Sequence, residues 1–276
     1  MSKQTKRILA LAGMALLVVT LAGCSTAPVT SHSTSIWDHY VIYNAARFII
    51  WLSDLLGGNY GVGIIAFTLI IRIIIFPLNA ISMKSMTKQS ELAPEIKKLQ
   101  AKYSAKDTAT QQKLQDETQK LYSKAGVNPV MGCLPTLIQM PFLLALYQAI
   151  YRTDALKAGS FLWMQLGKPD PYFITMILAA LLTGLTSYLS MLAQPVKSTM
   201  NWAMVAIMPV FIFIVSMNLP SAVTIYWVVT NAFSVVQQLI LQNPTKLRRE
   251  REAKIQEEKD KEKALRKARK RALNRK

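Results

Sequence analysis

Five apolar segments of spanning or near-spanning length, at 61–82, 134–151, 172–192, 202–217 and 222–241, leave this chain one solvent for most of its surface, the lipid bilayer. A helix of about 20 apolar residues crosses a hydrocarbon core about 30 Å thick, and inside that core each backbone N–H and C=O must be satisfied within the protein. Yet the formal net charge is +18 while 51% of residues are hydrophobic. The two facts are compatible because charge and apolarity are segregated: Lys and Arg crowd into 83–124 and 245–276. The pattern predicts an all-α membrane protein with five transmembrane helices.

The N-terminus orients the rest. Lys3, Lys6 and Arg7 precede the apolar run Ile8 to Leu21, fourteen residues and too short to span, and Leu21-Ala22-Gly23-Cys24-Ser25 follows. This reads as a lipoprotein signal, with residues 1–23 removed and the Cys24 thiolate accepting a diacylglyceryl group. A lipidated N-terminus lies outside. An external segment 24–60 then leads to an inward-running first span, 61–82, and 83–127 is cytoplasmic. Further along come a second span within 128–151, an external loop 152–171, a third span 172–192 and a cytoplasmic connection 193–201. The fourth span is 202–217, an external turn and fifth span occupy 218–241, and 242–276 is a basic cytoplasmic tail. Segment 83–133 carries nine Lys against five acids and the tail from 245 fifteen Lys or Arg against six, as the positive-inside rule expects. The chain is therefore expected to be a multi-pass protein of a bacterial cell membrane. Cys133 stands alone near a span and implies no disulfide.

Two segments outside the spans have helical periodicity. In 36–56, Trp37, Val41, Phe48, Leu52 and Leu55 recur at helical spacing while Asp38, Arg47 and Asp54 interrupt the apolar face, which predicts an amphipathic helix along the outer surface, bending at Gly57-Gly58-Asn59. In the cytoplasmic segment, Leu92, Ile96, Leu99 and Tyr103 form one stripe and Leu114, Thr118, Leu121 and Ala125 another, with a break near Ser104 to Asp107. The spacing predicts a helical hairpin, long for a mere connector and better suited to docking or receiving a substrate.

Arg72 lies in the middle of the first span, where a permanent charge requires water or a charged partner and marks a functional site. The span tolerates it because thirteen of the twenty residues from Val62 to Ile81 are Val, Ile, Leu or Phe. Gly61, Thr68, Arg72 and Asn79 project within about 40° of one line at roughly 100° per residue. Polar stripes recur at Thr183, Ser187, Ser190 and Gln194 and at Trp227, Asn231, Ser234 and Gln238, and Thr136 shares a face with Gln139. Together they predict a hydrophilic groove that opens inward and closes before the outer face.

No span contains a carboxylate, so no intramembrane acid is available for a proton relay, which disfavours ion-coupled transport; an ion channel or solute transporter remains the alternative class. There is no phosphate-binding glycine loop, neither His32 nor His39 has a metal-ligand partner at workable spacing, and no nucleophile with a base is evident. The expectation is a non-enzyme without cofactor or metal. The tail offers Arg248, Arg249, Arg251, Arg266, Lys267, Arg269, Lys270 and Arg271 as contacts to ribosomal RNA or to anionic membrane lipids.

Several blocks in order carry a resemblance. They are Ile71-Arg72 through Phe76-Pro77-Leu78; Asn128-Pro129 through Gly132-Cys133-Leu134-Pro135 to Gln139-Met140-Pro141; Ala145-Leu146-Tyr147; and Leu219-Pro220-Ser221-Ala222 through Tyr226-Trp227 and Asn231. Over residues 36–245 the chain resembles the YidC family of membrane-protein insertases, in the lipoprotein form of single-membrane bacteria. The resemblance implies a five-span core, a cytoplasmic hairpin and a groove whose arginine receives the hydrophilic part of an incoming polypeptide. Expected partners are nascent membrane proteins, met alone or beside the Sec translocon, with no covalent chemistry.

Overall fold

Each apolar segment forms a helix, the local solution that satisfies backbone polar groups within one stretch of chain. The computed structural model describes residues 27–31, 33–105, 107–132, 134–195 and 199–273. Its helices are α1 (Asn44–Leu55), α2 (Tyr60–Glu91), α3 (Ala93–Lys102), α4 (Thr108–Lys124), α5 (Leu134–Tyr151), α6 (Asp154–Ala158), α7 (Ile174–Leu192), α8 (Thr199–Ser216), α9 (Ser221–Leu241) and α10 (Pro244–Leu273). Segment 1–23, Cys24, Cys133 and residues 196–198 lie outside the described residues. Among the helices α2, α5, α7, α8 and α9 are long and apolar enough to cross a membrane. Little of their surface is covered by protein: along α8 only 6% of the residues are buried, and Ile207, Val210, Phe211 and Ile214 stand exposed. That surface requires lipid.

Helix α2 runs nine residues past the expected end at 82, because Met83 to Glu91 contains neither Gly nor Pro and the break comes only before Pro94. Helix α8 likewise starts at Thr199 rather than at 202. The 152–171 loop is more structured than its sequence suggests. It holds α6 and an antiparallel ribbon of β1 (Ser160–Phe161) and β2 (Met164–Gln165), paired Ser160 with Gln165 and Phe161 with Met164.

Two compact units are distinguished. One comprises the described part of 1–79 with 133–184 and 206–233. Its core is Ile42, Ile49, Ile64, Leu146, Ile150 and Leu156 with Met164, Leu166 and Tyr226 around them. A π-helical turn, Trp37–Tyr43, leads into α1, and Gly57 and Gly58 take positive φ of 96° and 80° to turn the chain into α2. Asn59 Oδ1 then accepts from the N–H groups of Gly61 and Val62, capping α2. Gly63 permits close crossing of α1 over α2, since a Cβ there would sit 2.0 Å from Ser53 Oγ and 2.8 Å from the Ile49 carbonyl.

Asp38 departs from the expected amphipathic pattern. It is buried rather than facing water, and its carboxylate takes two hydrogen bonds from Arg152, at 2.9 and 2.7 Å. Arg152 also donates to Gln148 Oε1 and, through Nε, to the Ala27 carbonyl at 2.7 Å, while Val29 N–H donates to the Arg152 carbonyl. One guanidinium thus ties the 27–29 segment and the π-turn to the end of α5. Asp170 is the second buried acid, 1% exposed. Burial acts to raise its pKa, but hydrogen bonds from Thr175 N–H and hydroxyl, Trp163 Nε1 and Tyr172 N–H prevail and hold it below the usual carboxylate range.

The other unit comprises 80–132, 185–205 and the described part of 234–276. In it α3 and α4 bury no residue; Leu92, Ile96, Leu99 and Tyr103 are half-buried against half-buried Leu114, Thr118 and Leu121, whereas Ala125 is exposed. One thin apolar seam holds this hairpin. Asp107 caps α4 by accepting from Thr110 N–H at 2.9 Å, and that bond keeps its carboxyl low in pKa. The chain returns through a 3₁₀ turn, Pro129–Gly132, fastened to the end of α2: Ser82 donates to the Met131 carbonyl, and Ser85 and Gln89 donate to that of Asn128. Gln242 donates to Met83 O and Thr87 Oγ1, attaching the end of α9 to the same stretch.

Candidate functional site

Arg72 is carried by the middle of α2, half-buried, and its Nη2 donates to Gln139 Oε1 of α5 at 3.0 Å. The hydroxyl of Tyr226, from α9, also faces the guanidinium. Three helices therefore converge on one charge. Among the described residues no carboxylate forms an ion pair with Arg72. Its partners are neutral dipoles, which orient the guanidinium and leave its positive charge uncompensated. In a low-dielectric setting such a charge attracts an anion strongly: at 4 Å and an effective dielectric constant near 20, about 4 kcal/mol.

The other residues of the predicted stripes divide by what their polar atoms do. Thr68 is 1% exposed and donates to the Ile64 carbonyl of its own helix at 2.7 Å, and Gly61 is pressed against Phe161; both are packing positions. Asn79 is buried. Thr183 returns its hydroxyl to Ala179 O, and Asn231 Nδ2 donates to the Trp227 carbonyl, so these are satisfied within their own helices, while Trp227 and Asn231 stay half-buried. Of the residues proposed from sequence in this unit, the structure brings Gln139 to Arg72. In the other unit Gln238 Nε2 donates to Ser190 Oγ at 2.9 Å, joining α9 to α7, and Ser187 and Ser234 are half-buried.

The sequence model of the 60Kd inner membrane protein family matches residues 51–250, more than half of the chain. Membrane protein insertase YidC of Pediococcus pentosaceus is 55% identical over 254 residues, covering 91% of this chain and 91% of that protein. The chain belongs to the YidC family. Membrane protein insertase YidC 1 of Lactococcus lactis subsp. lactis is 49% identical over 272 residues, 97% of this chain and 99% of that one. An active YidC insertase crystal structure with the first transmembrane domain resolved is 30% identical with a TM-score of 0.57. That match covers 74% of this chain, which spans 46% of the other's length.

Within this YidC-family chain, Tyr226 is the site residue that periodicity does not single out. The signal was present as a Tyr226–Thr230 pair four residues apart, running beside the Trp227–Asn231 stripe. What periodicity does not supply is that Tyr226 lies next to a charge on another helix. The tail residues also separate. Arg248 pairs with Glu252 at 2.7 Å and is exposed, as are Arg249, Arg266 and Lys267. Arg251 is half-buried and its Nη2 donates to the Ala193 carbonyl at 2.6 Å, satisfying a C-terminal carbonyl of the α7 region. It serves the fold before any partner. The side chains of Arg269, Lys270 and Arg271 lie outside those described.

Proposed function

We propose that this protein inserts newly synthesised membrane proteins into the bilayer and assists their folding, alone or beside the Sec translocon, with Arg72 receiving the polar segment that must cross. The observation that carries the reading is a mid-span arginine bonded to Gln139, faced by Tyr226 and, among the described residues, in no ion pair with an acid. An acidic side chain of a client satisfies that charge transiently. A polar groove at Arg72, with half-buried Trp227 and Asn231 of the same unit on its lining, shortens the apolar distance to cross. The client's apolar span then leaves for lipid by its own hydrophobicity, about 0.3–0.6 kcal/mol for each central Leu, Ile, Phe or Val. No bond is made or broken.

In this reading the basic segments face the cytoplasm and Cys24 carries a lipid outside. The hairpin is the receiving element: between α3 and α4 lies a cleft of about 260 Å³ lined by Leu99 and Leu121 and by four lysines, Lys98, Lys102, Lys120 and Lys124, against two acids, Glu95 and Glu117. The combination suits an emerging segment with apolar and acidic side chains. The test uses paired clients differing only in Asp or Glu within the translocated segment, with matched amounts of each variant in membranes. Arg72→Ala is expected to lower insertion of the acidic client roughly tenfold more than the neutral one, about 1.4 kcal/mol of differential interaction. Arg72→Lys should retain more activity because the charge survives while the planar fork is lost. Equal loss for both clients rejects the electrostatic role.

A further inference from the structure

The loop joining α5 to α7 carries an apolar tip unrelated to the surroundings of Arg72. Leu162 is 70% exposed and Tyr172 65%, with Trp163 and Phe173 also exposed. These are not loose side chains. The rings of Trp163 and Tyr172 meet edge to face with centroids 6.4 Å apart, and Trp163 Nε1 donates to buried Asp170 at 2.9 Å. Beneath them Met164 and Leu166 are fully buried, and the loop is tied to the start of α9 by Ser221, whose N–H and hydroxyl both donate to the Lys168 carbonyl. A rigid scaffold thus holds four large apolar groups outward.

The backbone accepts strain to do so. Leu162 and Phe173 have φ of 53° and 60°, the left-handed region that disfavours any residue with a Cβ. A two-residue hairpin turn facing water is ordinarily built from Asn, Asp and Gly, which take that conformation cheaply and stay hydrated. Here the turn is Leu162-Trp163. Such a substitution is unfavourable in water on both counts.

We infer that this tip is seated in the headgroup and upper acyl layer of the membrane, so that the loop is a lipid-binding anchor at the end of α7. Three observations select lipid over a protein partner. The tip runs without interruption into Ile174, Ile177, Leu178 and Leu181, exposed apolar residues of a helix able to cross the bilayer. Trp and Tyr have the mixed character favoured at that depth. The exposed charges of the loop, Lys157 and Lys168 against Asp154, leave it one net positive charge for anionic headgroups, while Asp170 is turned inward.

The test places the photo-cross-linker p-benzoylphenylalanine singly at Leu162 or Tyr172 of the full chain in vesicles of phosphatidylethanolamine and phosphatidylglycerol, with adducts identified by mass. Phe211, exposed on α8, serves as the lipid-facing reference and Ala105, in the α3–α4 turn, as the aqueous one. Phospholipid adducts at Leu162 and Tyr172 are expected at a yield comparable to Phe211 and at least fivefold above Ala105. Yields equal to that at Ala105 overturn the anchor by placing the tip in water. Adducts to a second copy of the chain in place of lipid overturn it as well, and mark the tip as a protein interface.

Discussion

Asp38 and Arg152 show what a single buried charge demands. Both are withdrawn from solvent, and the cost of desolvating them is offset only because the guanidinium meets both carboxylate oxygens and gives its remaining donors to Gln148 and the Ala27 carbonyl. Asp38→Ala leaves the arginine buried with its anion gone and is expected to destabilise by about 3–5 kcal/mol. Equilibrium unfolding in detergent micelles measures this, with Asp54→Ala, an exposed acid on α1, as a control that should change stability by less than about 0.5 kcal/mol. Equal small losses for the two variants would mean that the pair is solvated. Arg72 is the contrasting case: its partners, Gln139 and Tyr226, carry no charge, so the positive charge stays available to something outside the chain.

At the scale of elements, the hairpin is joined to its surroundings so that it can be removed cleanly. The chain leaves at the end of α2 and returns at Asn128 to Met131, which are bonded to Ser82, Ser85 and Gln89 of that same helix. Excising 92–125 and closing the gap with a short Gly-Ser linker therefore spares those bonds and the Gln242 attachments to Met83 and Thr87. The shortened protein should accumulate in membranes at normal levels while inserting test clients several-fold more slowly. Undiminished insertion would reduce the hairpin to a connector. Helix α2 shows why element ends are harder to read than element existence. Its apolar run ends near Ile81, but the backbone has no reason to stop until Pro94 approaches, so hydrophobicity and helicity terminate at different places.

For the whole molecule, the basic tail is the largest feature whose partner lies outside the chain. Because Arg251 satisfies a carbonyl at Ala193, the informative truncation starts after it: 252–276 still carries eleven Lys or Arg against five acids. Removing it should weaken co-sedimentation with ribosomes, most clearly at low salt, while the protein stays in the membrane. Unchanged co-sedimentation at low salt rules out ribosome docking by this tail. The architecture was legible because five runs of apolar residues have a single physical outcome in lipid, and Arg72 was legible because a charge interrupts one of them. Long-range pairing was not. Gln139 reads as a polar residue on a helix face, but its partner is 67 positions away, and Asp38 reads as a solvent-facing acid until Arg152 is placed beside it. The ribbon at Ser160 to Gln165 has no sequence signature, because two-residue strands have no periodicity and its turn residues oppose the usual turn chemistry.

The clamp at Arg152 also sets an order of events during synthesis. Asp38 and Arg152 are 114 positions apart, and a ribosome adding about 5–20 residues per second needs roughly 6–23 s to travel from one codon to the other. Through that interval the carboxylate of Asp38 has no guanidinium to meet and the Ala27 carbonyl has no donor. The stretch at 27–38 is thus made early but stays undocked until the end of α5 has been synthesised, so its place in the fold is settled by a residue from the middle of the chain.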